Sequence, residues 1–153
     1  MINLDVFSDE GAWSKRIKKK EIFFKQICKA FPKKYKFLNK KISLTLLLSN
    51  NKNIKKLNKY FRKKNKSTDV LSFPLNTKIK ASNEIYIGDI IISYDFMNKP
   101  KSQSLNAFKG KVIKTFIHGF LHLLGFDHIK NNDYKKMLKE EEYIFNSVIS
   151  KIS

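Results

Sequence analysis

The chain opens on an alternation. Ile2, Leu4 and Val6 are apolar, with Asn3 and Asp5 between them, the period-two pattern of a strand with one buried face. From about Lys15 to Phe31 the apolar positions Ile17, Phe23, Phe24, Ile27 and Phe31 suit a helix, and Pro32 follows its end. Lys41 to Ser49 alternates again, Ile42, Leu44, Leu46 and Leu48 enclosing Ser43 and Thr45. Asn50 to Lys66 reads as a helix with Ile54, Leu57 and Phe61 on one face and lysines elsewhere. Asp69 to Pro74 is a short strand stopped by its proline, and residues 76–83 read as a polar surface loop or hairpin tip. Glu84 to Ser93 is a strand containing Gly88, a residue that marks a bulge or a close backbone approach. Ser104 to Leu124 is a long helix, apolar nearly all round in its second half and therefore the central, buried one. Asn132 to Ile149 is the last helix, and its acids Glu140, Glu141 and Glu142 read as a solvated face. No repeat or long linker divides the chain. The pattern predicts one domain over residues 1–153, of α+β class, with a small mixed β-sheet packed against about five helices.

Charge changes the picture most. The formal net charge is +19, and 30 of the 32 basic residues are lysine. Such a field attracts polyanions and excludes a strongly basic partner. Nucleic acid is the first partner it suggests and an acidic membrane surface the second. A lysine-rich composition also arises from an AT-rich genome, in which case much of the charge is solvated surface.

The single cysteine, Cys28, excludes an internal disulfide and a cysteine-based metal site, and its apolar neighbours mark it as a buried thiol. The opening segment has no basic region and carries an acid at its centre, unlike a signal peptide. No apolar run approaches the roughly 18 residues of a membrane-spanning helix. The expectation is a cytoplasmic protein without a membrane partner.

The candidate chemistry lies in one short segment, which holds all three histidines: His118, His122 and His128. His118 and His122 are four residues apart, so they share a helical face one turn apart. Gly125 sits where the helix must stop, since glycine adopts the left-handed terminal conformation easily. The chain can then turn back and present His128. Three imidazoles suit Zn²⁺ with one position left open, and other imidazole-favouring ions, nickel among them, remain alternatives. The spacing is close to the metzincin pattern H-E-x-x-H-x-x-G-x-x-H, and in that sense the helix is metzincin-like. Position 119, however, is glycine where a metalloprotease places its general base, which counts against peptide hydrolysis by that route. Asp127 is left with two readings, orienting a histidine or capping the following turn.

The histidine block resembles H-G-x-L-H-L-x-G-y-D-H, the signature of the YbeY family of endoribonucleases and rRNA maturation factors. Leu57 to Pro74 is similar to that family's L-N-x-x-y-R-x-K-d-x-x-T-D-V-L-S-F-P, and Gly88 to Ser93 to its G-D-I-x-I-S. The blocks keep the family's order. Phe126 replaces a common tyrosine and Asn65 a common aspartate. The resemblance implies a three-histidine zinc site, single-strand-specific RNA cleavage, and a role in 16S rRNA 3′-end maturation and ribosome quality control. It also implies contacts with the ribosome or ribosomal proteins and with an assembly GTPase.

Arg62 matches the family's functionally important arginine. It is also one of only two arginines, with Arg16, in a chain that otherwise uses lysine. A guanidinium holds a phosphate through a planar fork that an ammonium lacks. The alternative is an ion pair with Asp69 or Asp89. Arg16 matches no motif and reads as surface. Thr68 and Asp69 read as turn residues bonding nearby backbone, and Asp89 as a candidate for facing the cleft. The expected function is metal-dependent RNA cleavage, with water or a 2′-hydroxyl as the attacking group. The alternatives are a non-catalytic ribosome-assembly factor with a structural metal, and a metallohydrolase of another substrate class.

Overall fold

The computed structural model describes residues 1–78, 83–127 and 130–152. Its strands are β1 (Ile2–Ser8), β2 (Lys41–Ser49), β3 (Val70–Lys78) and β4 (Glu84–Ser93). Among the described residues the helices are α1 (Trp13–Arg16), α2 (Lys20–Lys29), α3 (Asn51–Arg62), α4 (Tyr94–Met97), α5 (Leu105–Leu123) and α6 (Asn131–Ile152), with a 3-10 turn at Lys33–Tyr35. The four strands form one sheet in the order β1-β2-β4-β3. β1, β2 and β4 run parallel and β3 lies antiparallel on the edge. The mixed sheet and α+β class are as expected, with six helices where about five were anticipated.

The alternation along each strand sorts its side chains to two faces. Leu44, Leu46 and Leu48 of β2 and Ile90 and Ile92 of β4 join Phe24, Phe116 and Phe120 in the main core. Leu71 and Ile91 point the other way and pack with Ile54 of α3 in a smaller cluster, bordered by Leu47, Leu57 and Phe73. Cys28 is buried, and burial pushes its thiol up to about 12, so it stays protonated and inert.

α5 is the central helix that its composition predicted. Its apolar residues from Phe108 to Leu123 are buried, and the helix packs against β3, β4 and α6. Gly119 lies where α5 meets the sheet, and a Cβ there would come 2.9 Å from Ile90 Cγ2 and 3.1 Å from Ser72 Oγ. Gly88 is tighter still: its φ is +134° and a Cβ would run into the Phe73 carbonyl oxygen. The expected bulge is also present, as a register shift in the β2–β4 ladder between Ser43 and Leu44.

Three elements differ from their sequence patterns. The expected helix from Lys15 to Phe31 is two helices, because Ile17 is extended (φ −130°, ψ 101°) at the end of α1. That break buries both Ile17 and Trp13, whose indole Nε1 donates to Ser49 O at 2.9 Å. α3 stops at Arg62, four residues early, where Lys63 turns left-handed (φ 59°). Buried Asn58 donates from Nδ2 to Lys66 O at 2.9 Å and pins the chain after that turn. β3 continues past Pro74 to Lys78 through a second register shift, into the stretch expected to be loop; residues 79–82 lie outside the described residues. On the edge strand, a proline breaks no ladder on its solvent side.

Candidate active site

The site is built at the C-terminal end of α5, where a glycine turn sets His122 and a carboxylate of α6 meets His118. Phe126 N–H donates to Leu121 O at 3.0 Å and Gly125 N–H to His122 O at 3.0 Å. These two bonds, with Gly125 at φ +99°, make the Schellman ending expected of a terminal glycine. The turn brings the Phe126 carbonyl under the imidazole of His122, whose Nδ1–H donates to it at 2.9 Å. One turn earlier, Nδ1 of His118 meets Oε1 of Glu141 on α6. A donor proton on each Nδ1 leaves each Nε2 as a lone-pair nitrogen. Those two Nε2 atoms face each other at 3.0 Å.

Two lone pairs so placed repel unless a cation lies between them. Tetrahedral coordination with Zn–N bonds of about 2.0–2.1 Å sets ligand nitrogens roughly 3.3 Å apart. The pair therefore fits two ligand positions of a single ion. A carboxylate and a backbone carbonyl behind the rings are the supports that metal-binding histidines use. The third expected ligand, His128, lies outside the described residues. Among the described residues no three His, Cys, Asp or Glu side chains gather to hold a metal. Of the three expected ligands, His118 and His122 are the two that converge among the described residues.

Arg62 opens onto the same cleft, about 640 Å³ in volume, as His118 and His122. Among the described residues it pairs with no carboxylate, so the ion pair with Asp69 or Asp89 is not formed. Its Nη2 donates to Ser72 O at 3.0 Å, and its Cζ stands 5.8 Å from the centre of the Phe73 ring. One guanidinium nitrogen is anchored on β3, while the group has five N–H donors in all.

Other sequence expectations resolve around the cleft. Asp69 lines it, and its Oδ1 accepts from Val70 N–H at 2.8 Å, the turn chemistry anticipated; Thr68 Oγ1 donates instead to that same carboxylate oxygen at 3.2 Å rather than bonding the backbone. Asp127 also lines it. Asp89 does not: it borders a groove with Thr45 and Leu47 and accepts from the Tyr86 hydroxyl. Arg16 is not a free surface residue, since its Nη2 donates to Lys101 O at 3.1 Å and Gln103 O at 3.2 Å. The acids of α6 are not merely solvated. Glu140 receives Lys34 Nζ at 2.6 Å and the Tyr35 hydroxyl, while Glu141 supports His118. Glu141 is the site residue that sequence reasoning missed, because its acid run carries no spacing relation to the histidine it meets.

Two imidazoles and a guanidinium thus share one cleft of a strongly basic α+β domain. The profile of the family described as Endoribonuclease YbeY matches residues 9–149. Endoribonuclease YbeY of Pelagibacter ubique is 61% identical over 153 residues, covering 100% of both chains. That of Sulfurihydrogenibium sp. is 34% identical over 144 residues, 94% of this chain and 91% of the relative. The solution structure of TM1509 from Thermotoga maritima is similar, with a TM-score of 0.53 and 26% identity over 98% of this chain and 90% of that one. The chain belongs to the YbeY family of endoribonucleases.

Proposed function

We propose that the chain is a single-strand-specific, zinc-dependent endoribonuclease acting in 16S rRNA 3′-end maturation and ribosome quality control. The observation that supports this most is the convergence of His118 Nε2 and His122 Nε2 at 3.0 Å in the cleft that Arg62 also faces. His118, His122 and His128 would hold the ion. When bound, zinc supplies Lewis acidity toward water and toward the phosphoryl group. Glu141 and the Phe126 carbonyl hold the two imidazoles by Nδ1, which would leave each Nε2 as the donor to such an ion.

Arg62 binds the scissile phosphate and stabilises the charge that builds on its oxygens as the new P–O bond forms and the old one breaks. The bond to Ser72 O places the guanidinium before substrate arrives, so no reorganisation is needed at that moment. Lys55, Lys59, Lys63 and Lys64 are exposed on and after α3 and guide the RNA backbone. The attacking group sets the product ends: water leaves an open phosphate monoester, and a 2′-hydroxyl leaves a 2′,3′-cyclic phosphate.

Glycine at 119 argues against a peptidase: that position is packed against Ile90 and Ser72 with no space for a glutamate. No helix among the described residues is long and apolar enough to cross a membrane. The proposed setting is the cytoplasm, with ribosomal proteins and an assembly GTPase as partners, on the strength of family membership. The test is cleavage of a labelled single-stranded RNA by the protein as purified, after chelation, and after zinc is restored. Loss on chelation and recovery with zinc support the proposal; cleavage indifferent to chelation contradicts it.

A further inference from the structure

The end of α3 leaves two aromatic rings in water beside Arg62. Tyr60 is 72% exposed and Phe61 58%. Their ring centres are 4.7 Å apart, edge to face, and Phe61 continues to Phe73 at 5.2 Å. Phe73 is in turn the ring beneath the Arg62 guanidinium. Aromatic side chains so exposed gain little from the hydrophobic effect in folding. Tyr60 lies one helical turn from Lys56, and Lys59, Lys63 and Lys64 are its near neighbours in sequence, all exposed. Phe61 and Phe73 line a groove of about 710 Å³ on the face of the sheet away from α5. Pro74 lines both this groove and the histidine cleft, so the two adjoin.

We propose that Tyr60 and Phe61 form a stacking platform for the unpaired bases of single-stranded RNA whose phosphate is held at Arg62. This rests on the RNA-cleaving reading above and adds to it a binding subsite. Exposed rings set among lysines are what a single strand recognises: cations track the phosphates and each ring offers a face to a base. A peptide partner would find apolar rings but no use for the lysines around them. The platform also gives a physical origin for single-strand preference. Bases stacked and paired inside a duplex cannot reach the rings, whereas a duplex and a single strand present similar phosphates to Arg62 and the lysines.

The test compares two probes in a cleavage assay. One is a single-stranded RNA decamer, read by its KM. The other is an abasic ribose-phosphate analogue of equal length and charge, built on tetrahydrofuran spacers and read by its Ki as a competitor. Tyr60→Ala, at a ring that is 72% exposed and touches the likewise solvent-facing Phe61, should raise KM for the RNA by roughly fivefold or more without lowering the melting temperature. Its Ki for the abasic competitor should not move. Tyr60→Trp should keep KM at or below the wild-type value, because a larger ring stacks at least as well. Combining Phe61→Ala with Tyr60→Ala should raise KM further, with the melting temperature followed in parallel. An unchanged KM in Tyr60→Ala, or a Ki that rises in step with it, overturns the platform while leaving RNA cleavage intact. Failure of the wild type to cleave the RNA overturns both readings.

Discussion

A carboxylate oxygen of Glu141 on α6 meets Nδ1 of His118 on α5, joining two helices at the back of the proposed metal site. Both side chains are partly shielded, His118 at 32% and Glu141 at 25% exposure. The carboxylate fixes the ring orientation and strengthens Nε2 as a donor to a metal. Glu141→Ala should therefore keep the fold but weaken zinc binding by about 10–100-fold, measured by competition with a chelator. Unaltered zinc affinity would show that the contact serves only helix packing.

Arg62 separates charge from geometry. Arg62→Ala should retain zinc and the melting temperature while losing most RNA cleavage, on the order of 10²-fold in kcat if it acts on the transition state. Arg62→Lys should also be impaired, because an ammonium cannot reproduce the fork. Cleavage by Arg62→Ala at the wild-type rate would remove Arg62 from the mechanism, and full activity in Arg62→Lys would mean that charge alone suffices.

Gly119 tests the packing of the histidine helix. Alanine improves helix propensity by up to about 1 kcal/mol, but its Cβ would press on the Cγ2 of fully buried Ile90 at 2.9 Å. Overpacking of this kind costs about 1–3 kcal/mol, and a methyl next to the β-carbon of a branched side chain has little room to move. Gly119→Ala should lower the melting temperature. Gly119→Glu should lower it further without creating peptidase activity. A melting temperature at or above wild type for Gly119→Ala would show that the helix shifts freely on the sheet.

The acid-side stability should depend on Glu140. Its hydrogen bonds from Lys34 and Tyr35 hold its carboxyl below the usual range. A lowered folded value stabilises the protein above the unfolded carboxylate value, and that contribution fades as pH falls through the folded one. Glu140→Gln should be less stable than wild type at pH 7, by about 1 kcal/mol for the weakened bonds, and melt at a lower temperature. The difference should shrink as the medium is acidified below the ordinary carboxylate range. A gap that stays constant with pH would assign the effect to packing instead.

Periodicity located the strands by their alternation, and α3 and α5 by apolar positions at helical spacing behind the N-caps Asn50 and Ser104. It failed at Ile17, where the pressure to bury both Trp13 and Ile17 outweighs helical continuation. It failed again at Lys63–Lys66, four polar residues with no apolar position to hold another helical turn. Of the site, His118, His122 and the Gly125 turn were legible because they are local: four residues set one face and one glycine ends it. Glu141 was not, since it reaches His118 only when α6 folds back across α5. Asp89 misled for a related reason. The register shift beside Gly88 decides which face it occupies, and side-chain alternation alone does not reveal that shift.

The most direct measurement is RNA cleavage and zinc content determined together on wild type and His122→Ala purified in parallel. The expected result is about one zinc ion per wild-type chain, with cleavage of single-stranded RNA, and loss of both in His122→Ala. Equal cleavage by the two proteins would contradict it by placing the activity elsewhere. Zinc retained in the wild type without cleavage would contradict it by making the metal structural.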